Sequence, residues 1–183
     1  MNVRSFPTTS LSTDFGGGSP ATSGIQPVLK SGYIGAKVQS GTAHKGGKVF
    51  TRVSATTSTK FLGGLEAVAD AAVSNVAGTN TGTGTVGTAS ATSSALAGDY
   101  KVVFSAATKF DVSDPNGDEL KSGVTGTAYT ANGLTFTITA RGTAFVATDS
   151  FTVSVTQNTI EVPKAYFANE ADSDSNVEVA FNI

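Results

Sequence analysis

The chain has 183 residues, a formal charge of −2, one histidine and no cysteine. The missing cysteines exclude a disulfide framework and a thiolate metal site, and the near-neutral charge leaves no electrostatic case for nucleic acid or anionic lipid. Charged residues make up 14% of the chain, against about 25% in ordinary soluble domains, and Thr, Ser, Ala and Gly take their place, which suits β-structure with uncharged outer faces better than surface helices.

The first 24 residues are Thr, Ser, Gly and Pro around three apolar anchors, Phe6, Leu11 and Phe15. Gly16-Gly17-Gly18-Ser19-Pro20 does not hold a regular element at low cost, because Gly loses the most entropy on ordering and Pro lacks a donor. The segment reads as a floppy terminus or as an arm that orders on a partner. Met1 to Pro7 has no apolar core like that of a signal peptide, and no stretch reaches the ~18 apolar residues of a membrane span. Synthesis in the cytosol without a visible export signal, and no membrane partner, are the expectations.

From Ile25 to Val53 the pattern is one of short strands: 26–30, 33–38 and 48–53, broken by Ser31-Gly32, Ser40-Gly41 and Gly46-Gly47. Phe61 to Ala69 reads as a strand crossing a Gly-Gly bulge or turn, with a short helix over Glu66–Val73 as the alternative. Val76 to Ala97 is almost wholly Gly, Thr, Ser and Ala, a composition typical of flexible linkers, and it equally suits an irregular leading strand of the next module.

Gly98 to Val155 is the best-specified stretch. Tyr100–Phe104, Lys109–Val112, Leu134–Ile138 and Phe151–Val155 place apolar residues at every second position, the signature of strands with one buried face. Breaks rich in Gly or Asx recur at roughly 8–12-residue intervals, as in a small sandwich or barrel. After Gln157-Asn158-Thr159, the runs Ile160–Pro163, Ala165–Phe167 and Val177–Phe181 close the chain, the last completing the sheet begun before residue 74. That makes the middle module an insertion, tolerated where chain ends lie close together at a surface. The organisation read is an arm over 1–24, a discontinuous β domain over 25–75 and 158–183, and an inserted β-sandwich over 76–157.

No constellation points to catalysis, and neither catalytic residue, metal nor cofactor is expected. His44, in Gly41–Gly47, has no second histidine or cysteine to build a zinc site or a triad, and reads as a solvated loop residue. Asp111–Glu119 carries enough oxygens to suggest calcium but does not fit the EF-hand spacing. Its Asp114-Pro115-Asn116-Gly117 fits a type I turn, the calcium site being the alternative. The acidic run Glu170–Asn176 reads as an exposed turn before the last strand. Gly82-Thr83-Gly84 lacks the Gly-Lys-Ser/Thr that would make it a phosphate cradle.

Two parts of the chain resemble proteins of tailed-bacteriophage heads. Gly47–Val53, Gly63–Ala67, Ile160–Phe167 and Asn176–Phe181 are similar to the small head-decoration, or cement, proteins. Ala97–Val102, Phe110–Gly117, Gly126–Tyr129, Gly133–Ile138 and Phe145–Phe151 resemble a Gly/Thr-rich β-unit carried by such proteins. The departure is the long insertion after Gly63-Gly64, where simple cement proteins run directly to the last strands.

The resemblance implies an all-β fold, a small β-barrel or sandwich cement domain interrupted by an Ig-like β-sandwich. It implies a structural protein, not an enzyme, on the outer surface of the virion capsid. Its partners would be the major capsid protein and further copies of itself, a trimer being preferred to a dimer. The capsid and subunit contacts expected are Phe6, Leu11 and Phe15 in the arm, with Val49, Thr51 and Val53 as an edge strand open to a neighbour's sheet. The competing reading is a surface-displayed adhesin that binds glycan or host protein through an aromatic platform, for which Tyr100, Tyr129 and Phe145 are the candidates.

Overall fold

A computed structural model describes residues 31–181, which are all β, with no helix among them. Two compact units form. Of the described residues, the first takes 31–51, 57–68 and 161–181, and the second takes 52–56 and 69–160. The reading of residues 26–30 as a strand falls outside the described residues.

In the first unit, β1 (Gly32–Ser40), β2 (Lys48–Arg52), β3 (Leu65–Glu66), β13 (Thr159–Phe167) and β14 (Asn176–Phe181) close a barrel in the order β1-β14-β13-β2-β3. The long antiparallel pair is β1 with β14, from Gly32↔Phe181 to Lys37↔Asn176. Closure comes from β3, which pairs antiparallel with β2 through Phe50↔Glu66 and parallel with β1 through Val38↔Leu65. The core is small: Val38, Ala43, Val49, Phe167, Val177 and Val179. Val49, Val177 and Val179 are inward members of the alternating runs 48–52 and 177–181, which is why these runs settle as strands.

Two expectations are corrected here. The helix considered over Glu66–Val73 does not form: β3 ends at Glu66, and β4 (Ala71–Ala77) begins five residues later. Nor is the strand near Val49–Val53 an edge. β2 lies between β13 and β3 in the closed barrel, so both of its hydrogen-bonding rows are taken.

The second unit is a two-layer sandwich. One sheet has the order β4-β12-β7-β8-β9, built with β7 (Gly98–Phe104), β8 (Lys109–Ser113), β9 (Gly123–Val124) and β12 (Ser150–Gln157). The other centres on β11 (Leu134–Thr139), flanked by β10 (Ala128–Ala131) on one side and by β5 (Thr85–Val86) and β6 (Ser90–Ala91) on the other. Inward residues of both layers meet in one aromatic core. Phe104 stacks on Phe145 at 3.9 Å and Tyr129 on Phe136 at 4.9 Å, with Phe110 between the two pairs at 5.6 Å from Phe104 and 6.0 Å from Phe136. Such ring pairs contribute about 0.5–1.5 kcal/mol each beyond the area they bury.

The Gly/Thr/Ser/Ala run after β4 is ordered within this sandwich, supplying β5 and β6 as irregular leading strands. Its anchor is Asp149, 2% exposed, whose carboxylate accepts the N–H groups of Thr81 and Gly82 at 2.9 Å and of Val146 at 3.0 Å. Asn80 adds a two-way bond to the backbone of Ser150. Gly82 and Gly84 lie flat against the Phe145 ring, where a Cβ would have no room. The sequence looks low in complexity because this passage needs small residues.

Burial pushes the Asp149 carboxyl up, and the three backbone donors outweigh that and hold it below the usual carboxylate range. A folded-state pKa below the unfolded one stabilises the fold above the unfolded pKa, and that stabilisation is lost as pH falls through the folded value. Asp149→Ala therefore lowers the thermal midpoint at pH 7 and flattens the acid limb of the stability curve, as read by thermal melts from pH 7 down to pH 2.

The two buried tyrosines make a second, paired test. The Tyr100 hydroxyl accepts the Leu96 N–H at 2.8 Å, whereas the Tyr129 hydroxyl is buried with no hydrogen-bond partner among the described residues, and burial, with Tyr100 beside it, pushes its pKa to about 12. Tyr100→Phe should cost about 1 kcal/mol in denaturant unfolding, and Tyr129→Phe should be neutral or stabilising. Phe136→Ala, at the centre of the core, should cost about 3–5 kcal/mol.

Candidate interaction surface

The first unit carries an exposed apolar turn that is rigidly built. Thr57 opens it: its N–H donates to the Lys60 carbonyl at 2.9 Å, and its hydroxyl accepts the Lys60 N–H at 3.1 Å. A second turn follows at Phe61–Gly64, closed by the Gly64 N–H on the Phe61 carbonyl at 3.1 Å. Gly63 sits at φ +76°, a left-handed conformation that costs an ordinary L-residue about 1–2 kcal/mol.

Gln39 of β1 clamps this turn from below. Its Oε1 accepts the Phe61 N–H at 2.8 Å, and its Nε2 donates to the Phe61 carbonyl and to Glu66 Oε1, both at 3.1 Å. Glu66 is fully buried. Gly64 packs directly onto the Gln39 carboxamide, leaving no room for a side chain. The result is a turn tip whose Phe61 and Leu62 side chains are 60% and 64% exposed on a backbone fixed by side-chain bonds. Apolar side chains already held in place lose little freedom on binding, and this is the physics of an interface anchor.

The six contact residues expected from sequence are distributed differently. Phe6, Leu11 and Phe15 lie outside the described residues. Val49 is fully buried in the barrel core, Thr51 is half-buried, and Val53 is 43% exposed just beyond β2. Phe61 and Leu62, which the sequence places in a strand over 61–69, stand on a turn. The signal that separates them is the Gly-Gly pair directly after two large apolar residues, which places them on a turn instead of a pleated face.

The polar candidates resolve into turns. Glu170 accepts the Lys45 N–H at 3.0 Å and lies 2.7 Å from His44 Nδ1; these two contacts, the backbone donor first, hold its carboxyl below the usual range. Asp172 caps its own turn through Asn176 and the Asp174 N–H, with its pKa lowered for that reason. Asp114 caps the Asp-Pro-Asn-Gly turn, accepting the N–H groups of Asn116 at 2.9 Å and Asp118 at 3.0 Å. An open cleft of about 410 Å³ beside β1 and β14 is lined by Lys37, Glu170, Asp172, Asn176 and Glu178. Among the described residues, no three His, Asp or Glu side chains gather as a metal site would require. Tyr100, Tyr129 and Phe145, the aromatic platform considered for glycan binding, are all buried in the sandwich core.

No protein-family model matches the chain, and no curated protein matches it. Two crystal structures of FlgL from Xanthomonas campestris, in space groups H3 and C2, are similar to 49% of this chain, at 30% and 29% identity. The matched part spans 30% and 29% of those chains, and the TM-score is 0.38 in both.

Removing the clamp tests how the tip is held. Gln39→Ala should speed amide hydrogen exchange at Phe61 and Gly64 at least tenfold while leaving exchange in β14 unchanged, because it frees a local turn without opening the barrel.

Proposed function

We propose that this chain is a head-decoration protein of a tailed bacteriophage. It binds the outer surface of the assembled capsid and stabilises the shell against the pressure of packed DNA. One observation carries the reading. The stretches that resemble cement proteins, Gly47–Val53 and Gly63–Ala67 before the sandwich and Ile160–Phe167 and Asn176–Phe181 after it, supply four of the five strands of a single closed barrel, β2, β3, β13 and β14.

The action needs no chemistry. A protein that binds the assembled shell and not its dissociated subunits stabilises the shell by RT ln(1 + [L]/Kd), about 2.7 kcal/mol per site at a hundredfold excess over Kd. Repeated at every symmetry-related junction, such small terms sum over the shell. In this reading the major capsid protein is the partner, and the Phe61–Leu62 tip on the first unit seats in an apolar socket at a subunit junction. The arm and Val53 supply further contacts, and the protein acts on the virion as a homo-oligomer, with a trimer preferred at a threefold junction.

Co-sedimentation with undecorated, expanded phage heads tests this directly. The expected result is saturable binding at a fixed copy number. Binding should weaken at least tenfold in the Phe61→Ala/Leu62→Ala double variant, whose unfolding midpoint should match that of the parent because both side chains are exposed. Removing residues 1–20 then separates the contribution of the arm from that of the barrel. Absence of binding to any such shell would overturn the proposal.

A further inference from the structure

The second unit carries an edge of a kind that folded proteins normally blunt. β4 forms the outer strand of the five-stranded sheet and pairs with β12 without interruption from Ala71↔Gln157 to Ala77↔Phe151. Among the described residues its far side pairs with no strand: β6 runs near it but pairs with β11. Among the described residues, no backbone group of β4 has a partner other than β12. The other sandwich edges are short, with two residues in β9, β5 and β6 and four in β10. β4 has seven, Ala71-Ala72-Val73-Ser74-Asn75-Val76-Ala77, with no charge, no proline and no bulge. The charges, prolines, bulges and short length that usually blunt an edge are thus absent from β4, and Val76 stands 66% exposed on it.

We infer that β4 is a self-association edge, pairing antiparallel with β4 of a second copy of this chain to join two five-stranded sheets into one. The strand's own sequence suits a second copy: it is neutral, so its copy lies beside it with no like charges apposed. A two-fold axis at Ser74 sets Ser74 against Ser74 of the partner copy, Val73 against Asn75 and Ala72 against Val76. Hydroxyls meet at the centre, and the small Ala faces the larger Val. This pairing is isologous and closes on itself. A single seven-residue strand pair buries well under the ~1,200 Å² of a stable interface, so the association is weak in free solution and strengthens where copies are concentrated. The inference stands on the second unit and is independent of what the first unit binds.

The chain contains no cysteine, so single cysteines report cleanly. Residues opposed in an antiparallel pair lie about 4.5–5.5 Å apart between Cα atoms, within reach of a disulfide. Ser74→Cys should cross-link under mild oxidation at least tenfold faster than Lys101→Cys, also an exposed position on the same sheet but in the central strand β7. In sedimentation up to millimolar protein, Ser74→Lys and Ser74→Glu should each lose self-association at this edge, and an equimolar mixture of the two should restore it. That rescue separates a lost contact from a lost fold. Equal cross-linking of the two cysteine variants, or self-association unaffected by Ser74→Lys, would overturn the inference. Loss of binding to expanded heads in Ser74→Lys, with no self-linking of Ser74→Cys, would overturn it in favour of a capsid strand at this edge.

Discussion

The first unit depends on one constraint: its barrel closes only when strands from opposite ends of the described chain pair. β1 finds β14 across nearly the full length of the protein, and β2 finds β13. Such pairing carries a heavy loop-closure cost, which a core as small as Val38, Val49, Phe167, Val177 and Val179 offsets only when all five strands are present. The two-residue strand β3 completes the ring by pairing parallel to one neighbour and antiparallel to the other. Everything inserted between β2 and β13 must respect that closure, and the sandwich does so because its own ends, in β4 and β12, are paired neighbours.

The two units solve the edge problem differently. A closed barrel has no free row of N–H and C=O groups, so a partner of the first unit must be met through side chains. Its most exposed apolar residues, Phe61 and Leu62, stand on a turn whose backbone Gln39 and Gly63 hold fixed. The open sandwich keeps its edges and shortens all of them except β4. The side-chain anchor proposed for one unit and the main-chain pairing proposed for the other are separate modes of association.

Small uncharged residues serve opposite ends within the molecule. In the run after β4 they permit close packing, with Gly82 and Gly84 flat on Phe145 and their neighbours' amides gathered by the buried Asp149 carboxylate. In β4 itself they leave a strand without electrostatic protection. The same composition reads as linker in both places, and burial tells them apart.

The sequence by itself determined the all-β class and the strands of the sandwich core. Period-2 alternation in Tyr100–Phe104, Leu134–Ile138 and Phe151–Val155 is a local property, and the turn at Asp114–Gly117 follows from its own residues. Tertiary structure alone decided which strands are edges, that Val49 is core while Phe61 and Leu62 are surface, and that the Gly/Thr run is ordered. Two-residue strands such as β3, β5 and β6 are too short to show a period, and a strand pairs with a partner that its own residues do not name. Exposure is set by what packs alongside, and here the deciding neighbours, Gln39 for Phe61 and Asp149 for Gly82, stand 22 and 67 residues away.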